Sequence, residues 1–394
     1  MKKTGKTTLA FKSLLMGLVF SASLAGCKKA EEATSNENAL FQNNSNLEVA
    51  GSPLTTIPNG SYDLTKSLPS GYVKDGSVDY TSYVQAAINA NSNVSFPAFP
   101  ILVNEKGIIV PSNRTLNFLS GSQLLLKPTS SGNYNLIRIE NASNVVLNNP
   151  VIVGDVGKHL GSSGEWGNGI VILSSNNISI NDGSVTNCWG DGIYLSASSS
   201  KTTNTKIAIT NTVLQYNRRA GISITSVNGL VMESVIAGNT TGTSPMTGIN
   251  FEPEAATDEL QNISLLNCKT EYNGGYGIQI GYSNLYGGSN KTTSISIQNH
   301  YDKKSFTAVK VSADIAKRRG SEIINGTLTF SAPFWRQNPN STITTNLYEN
   351  NLKLLITKPV IMDVNGTQLS QEQAISNLTY KTRINRGANY SLTF

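Results

Sequence analysis

Gly169-Ile170-Val171-Ile172, Gly192-Ile193-Tyr194-Leu195, Gly221-Ile222-Ser223-Ile224, Gly248-Ile249-Asn250-Phe251 and Gly277-Ile278-Gln279-Ile280 are copies of one tetrad, Gly-Ile-x-apolar. The glycines are separated by 23, 29, 27 and 29 residues. A second short strand precedes four of the five: Ile178-Ser179-Ile180, Ile207-Ala208-Ile209, Leu230-Val231-Met232 and Ile263-Ser264-Leu265. Ile295-Ser296-Ile297 opens a further unit, and Val145-Val146-Leu147 with Val151-Ile152-Val153 continue the series upstream. Each unit therefore holds two or three strands of about four residues, apolar inward and polar outward. Such a unit is too small to bury its own apolar face and must stack on the next. The expected fold is all-β, a single-chain right-handed parallel β-helix. Propeller blades need about 40 residues per repeat, a β-sandwich would not repeat, and the Leu/Asn signature of leucine-rich repeats is absent.

Composition agrees. The chain has 394 residues, 38% hydrophobic but only 14% charged, with 34 Gly and 45 Asn. Disorder needs low hydrophobicity with high net charge, and helical bundles need more Ala, Glu, Lys, Leu and Arg. Three cysteines exclude a disulfide scaffold. Asn and Gly are expected at corners where φ is positive.

The first residues read as an address. Lys2, Lys3, Lys6 and Lys12 form a basic n-region beside the short apolar run Phe11 to Leu24, which is a secretory signal pattern, too short for a membrane span. Leu24-Ala25-Gly26-Cys27 resembles the bacterial lipoprotein lipobox, which implies lipidation of Cys27. Lys28-Lys29-Ala30-Glu31-Glu32 is similar to the export tags of Bacteroidetes surface lipoproteins. The expectation is an outer-membrane lipoprotein facing the periplasm or the cell surface, held to the membrane by its N-terminal lipid. Residues 1–26 would be the signal peptide, 27–52 a flexible tether, 53–330 the β-helix, and 331–394 a C-terminal β cap or appendage. Without residues 1–26 the formal charge falls from +6 to +2. That leaves no clustered basic charge to motivate a nucleic-acid partner.

Asp79 to Asn91 is an amphipathic helix with Tyr83, Ala86, Ala87 and Ile88 on its apolar side. It can cover the open first coil, an edge that otherwise invites aggregation. This helix, the Phe96-Pro97 turn, Pro111 to Leu116 and Gly121 to Pro128 resemble the opening of the pectate-lyase-like β-helix superfamily. Gly154 to Ile170, Asn187 to Leu195, Asn217 to Ile224 and Thr240 to Glu254 resemble a bacterial and phage family of β-helix proteins. The resemblance covers roughly residues 55–330 and implies binding or cleavage of polysaccharides. Relatives of that kind carry Asp at the position of Asn250 and end the motif in Pro-Asn, where this chain has Glu254. An Asn cannot be a general acid or base, so Glu252 or Glu254 takes that duty, or the protein binds without cleaving.

Candidate site residues precede the Gly-Ile strands. Asp155, His159 and Glu165 lie on an insertion before Gly169; Asp191 is directly before Gly192; Arg218 and Arg219 come just before Gly221. Stacked coils are about 4.8 Å apart, so these are expected to converge at one corner. Trp166 and Tyr194 are candidate sugar platforms, with Trp189 rather a packing residue. By alternation Asn250 and Glu252 face outward. Glycosidases use two carboxylates roughly 5 to 9.5 Å apart. Glu165 with Asp191 sit one coil apart, and Asp191 with Glu252 two, about 9.5 Å along the axis. Glu165, Asp191 and Glu252 are therefore the catalytic candidates. Asp155, His159, Trp166, Tyr194, Arg218, Arg219, Asn250 and Glu254 are expected to bind a polysaccharide or oligosaccharide.

The leading expectation is a glycoside hydrolase needing no cofactor and no metal. The alternatives are a uronate lyase or epimerase using the Arg pair, with Ca²⁺ possible for a lyase, and a non-catalytic glycan-binding surface protein. His300 is read as structural, and Cys188 and Cys268 as free, packed thiols.

Overall fold

The computed structural model describes residues 53–199, 202–287, 292–313, 322–347, 351–380 and 389–394. The segments expected to be signal peptide and tether, with Cys27, lie outside them. The described chain winds into a parallel β-helix with three faces. Twelve strands form one sheet, ten a second and nine a third, and all strand pairs within them are parallel. Each coil contributes one strand to each sheet in turn.

The five tetrads all lie on the nine-stranded sheet. Its register aligns Ile170, Ile193, Ile222, Ile249 and Ile278 in one column. Ile172, Leu195, Ile224, Phe251 and Ile280 form another, and every one of these ten side chains is buried. The tetrad glycines are not turn glycines, since none has a positive φ. A Cβ on Gly169, Gly192, Gly221 or Gly248 would stand 2.6 to 2.8 Å from the carbonyl oxygen of the next glycine in the column. Space between stacked backbones, not turn geometry, selects glycine there.

Turn geometry is carried mainly by asparagine. Asn149, Asn211, Asn267 and Asn299 follow strands of the twelve-stranded sheet with φ between 46 and 54°. A short side chain that bonds locally tolerates this left-handed conformation. Asn113, Asn144 and Asn177 also stack into a ladder, joined side chain to side chain at 2.9 and 2.8 Å.

The N-terminal helix spans Thr81–Ala90 and buries Thr81, Val84, Ala87 and Ile88. Tyr83, expected inside, is 39% exposed, because Val84 takes the core-facing position. The coils also run through the boundary expected at residue 330. Phe334–Arg336, Ser341–Asn346, Asn351–Thr357 and Val360–Met362 pair in parallel with the preceding coils. A helix, Gln371–Tyr380, and a last strand, Asn389–Thr393, follow. The sequence signal fades there because Ala308-Val309 and Thr342-Ile343 replace Gly-Ile, while Trp335, Ile343, Leu354 and Ile356 keep the interior apolar.

Candidate functional site

The outward residues of the nine-stranded sheet form the floor of the site. Their register is Val171, Tyr194, Ser223, Asn250, Gln279, Lys310 and Thr344. Ser223 and Asn250 are nonetheless buried, because longer side chains from the edges close over them.

Arg219 is the centre. Its Nη1 donates to Asp191 Oδ2 at 3.1 Å and to Ser223 Oγ at 3.2 Å. Its Nη2 donates to Glu252 Oε2 at 2.8 Å. Glu165 Oε2 approaches Nε at 3.7 Å, and Nε–H, buried, has no hydrogen-bond partner. The guanidinium carbon lies 5.6 Å from the Trp166 ring centre, within cation–π range. Asn250 Nδ2 donates to the same Glu252 oxygen at 2.9 Å, and Gln279 Nε2 donates to Asn250 Oδ1 at 3.1 Å. Three carboxylates from three coils thus converge on one cation. The structure thus brings Glu165, Asp191, Arg219 and Glu252 together.

The carboxylates differ in access. The Asp191 side chain is 1% exposed, whereas those of Glu165 and Glu252 are 42% and 41% exposed. Burial pushes the Asp191 carboxyl up to about 6, against the pull of Arg219 and Ser223. Desolvation penalises the charged form more than these partners recover. Asp191 lies beneath Arg219 and orients it, while Glu165 and Glu252 face the groove. Of the three carboxylates, Glu165 and Glu252 are the accessible ones.

Beside them, Trp166 and Tyr194 meet edge to face at 6.1 Å. The Tyr194 hydroxyl donates to Glu254 Oε1. Burial, together with that hydrogen bond, raises the Tyr194 phenol. Glu254 is set by Asp258, whose Oδ2 accepts from the Glu254 and Ala255 amides, each at 2.8 Å.

Asp155, His159 and Arg218 do not join this cluster. Asp155 Oδ2 pairs with His159 Nδ1 at 2.8 Å, both side chains 1% exposed, and Oδ1 accepts from Tyr134 at 2.9 Å. The His159 ring stacks on Trp189 at 3.8 Å, and the Arg218 guanidinium lies over the same ring at 4.1 Å. Two groups so close to one ring must take opposite faces. Arg218 also donates to the Gly164 carbonyl at 2.8 Å, and Trp189 Nε1 to that of Ser163 at 3.1 Å. This second cluster clamps the 155–165 insertion to the coils and so presents Glu165 and Trp166 to Arg219. A corner gathers residues near in sequence but sends alternate side chains to opposite sides, which separates Arg218 from Arg219.

Ser223 and Gln279 escaped the residue-by-residue reading. Both fill the third position of the Gly-Ile-x-apolar tetrad, so aligning the tetrads would have found them. His300 is buried between Thr270 and Trp335, with burial lowering it to about 3. Cys188 and Cys268 are free and buried. Among the described residues no three His, Cys, Asp or Glu side chains are grouped to hold a metal ion.

No protein-family model matches the chain. It is 28% identical over 256 residues to the uncharacterized protein YclG of Bacillus subtilis, covering 53% of this chain and 43% of that one. The SPbeta prophage-derived uncharacterized protein YorA of the same organism is 25% identical over 190 residues, covering 43% and 32%. The chain thus spans less than half the length of these curated relatives. Among solved structures, the A-module of Azotobacter vinelandii mannuronan C-5 epimerase AlgE6 aligns at a TM-score of 0.52 and 14% identity, covering 77% of this chain and 87% of that one. The likeness establishes the shared parallel β-helix fold.

Proposed function

We propose that this protein acts on a polysaccharide laid along the nine-stranded sheet, as a glycoside hydrolase whose two reacting carboxylates are Glu165 and Glu252. The observation that carries the reading is their convergence, half-exposed, on the single guanidinium of Arg219. Sharing one cation holds them no farther apart than the upper end of the roughly 5 to 9.5 Å over which paired acids cleave glycosidic bonds. Asp191 and Ser223 are positioning residues that fix Arg219. Trp166 and Tyr194 give the apolar sugar faces an aromatic wall.

The fold is shared with an alginate-modifying module, but folds of this kind host several chemistries and do not choose between them. A lyase needs a free base, and Arg219 is engaged by carboxylates while Arg218 lies over Trp189 and on the Gly164 carbonyl. We also propose a lipid anchor at Cys27, carrying the domain at the bacterial outer membrane through the 27–52 tether.

The test is release of reducing ends from a panel of neutral and acidic polysaccharides. Glu165→Gln and Glu252→Gln should each lower turnover by roughly 10² or more while binding persists. An ultraviolet-absorbing unsaturated product would replace the hydrolase with a lyase. Binding without turnover across the panel would make the protein a glycan-binding surface protein.

A further inference from the structure

The floor of the groove changes character along its length. Its Asp191 end is built around acids. Two coils beyond Asn250, the same outward column reaches Lys310, about 9.5 Å further along the axis. Lys310 Nζ lies 4.7 Å from the centre of the Tyr276 ring and donates to its hydroxyl at 3.3 Å. Tyr276 pairs in register with Thr307, on the coil that also carries Lys310. Both side chains are partly exposed, and among the described residues Lys310 meets no carboxylate.

The corner that leads into this strand repeats the chemistry. Tyr272 is 39% exposed, with Lys303 Nζ at 5.4 Å and Lys304 Nζ at 5.9 Å from its ring centre. Tyr272 and Lys304 hold φ of 53° and 60°, at a corner that carries Asn187, Tyr216, Asn239 and Gln337 on other coils.

We propose that Tyr276 and Lys310, extended by Tyr272 and Lys304, form an anionic subsite, so that the bound polysaccharide carries negative groups, either uronate carboxylates or sulfate esters. This rests on the polysaccharide reading of the groove and names its substrate class. The rings offer flat faces to sugar C–H surfaces, and the ammonium groups above them meet the charge. The Glu165 and Glu252 end disfavours a negative group, so it is held best at the Lys310 end, which biases the register of the chain.

The experiment measures binding of the full chain to matched probe pairs: polygalacturonate against its methyl ester, and dextran sulfate against dextran. The charged member of at least one pair should bind about tenfold tighter or more, and which pair responds separates carboxylate from sulfate. Lys310→Met keeps the stem on Tyr276 and should reduce that preference to under about threefold. Lys304→Met should reduce it in part, and Lys66→Met, on the N-terminal turn, not at all. Equal binding of charged and neutral members overturns the anionic subsite alone. So does a preference that survives both Lys310→Met and Lys304→Met, one lost equally in Lys66→Met, or one matched by single-stranded DNA. Binding to no polysaccharide in either pair or on the wider panel overturns the carbohydrate reading and the subsite with it.

Discussion

Arg219 Nη1 and Asp191 Oδ2 lie 3.1 Å apart, with their side chains 9% and 1% exposed. A charge so deeply buried depends on its partner, and breaking such a pair by removing one member costs about 3–5 kcal/mol. Arg219→Met should therefore destabilise the fold by that order in urea unfolding. Adding Asp191→Asn should restore part of the loss, since no buried charge is then left alone. An Arg219→Met protein as stable as the parent would refute the burial argument.

Asp191 also sets a pH dependence. Burial raises it from 3.8 to about 6 in the folded protein. Between those values the native state keeps a proton that the unfolded chain has lost, so this contribution to stability falls as pH rises through that window. Asp302, likewise pushed up to about 6 by burial, acts in the same sense, and His300, lowered to about 3, in the opposite one. Comparing Asp191→Asn with the parent isolates the first. The variant should gain on the parent in thermal melts as pH is raised from about 4 to 6.5; a constant difference would contradict the shift.

The glycine column gives a steric prediction. A Cβ on Gly221 would meet the Gly248 carbonyl at 2.6 Å and the Ala237 methyl at 2.9 Å, whereas one on Gly157 meets nothing within 4 Å. Gly221→Ala should cost about 1–3 kcal/mol or more in stability, and Gly157→Ala close to nothing. Similar denaturation midpoints for the two would remove the spacing explanation.

Trp189 stands between His159 and Arg218 and holds the 155–165 insertion. Trp189→Ala should free that segment, and limited trypsin digestion should then cut after exposed Lys158 while the coils stay intact. Turnover should fall as well, because Glu165 loses its placement. Unchanged protection of Lys158 would show that the aromatic clamp is dispensable.

Much of this was legible from the chain. The tetrads specify the stacking direction and the inward columns, because a coil that cannot bury its own face must repeat its pattern. They also bring Asp191, Arg219 and Glu252 to neighbouring coils. The reason for the tetrad glycines was not legible, since close approach of stacked backbones is invisible in one dimension. The coils beyond residue 330 were missed because Ala308 and Thr342 take the glycine positions while the interior stays apolar.

The sequence by itself determined a parallel β-helix with its few charges gathered near one corner, since repetition and alternation are linear properties. Only the tertiary structure decided which of those charges share a site. Adjacent residues at a corner point to opposite sides, so Arg219 joined the groove and Arg218 the clamp. Burial is set by neighbours from other coils, so Asp191 went beneath Arg219 while Glu165 and Glu252 stayed within reach of a ligand.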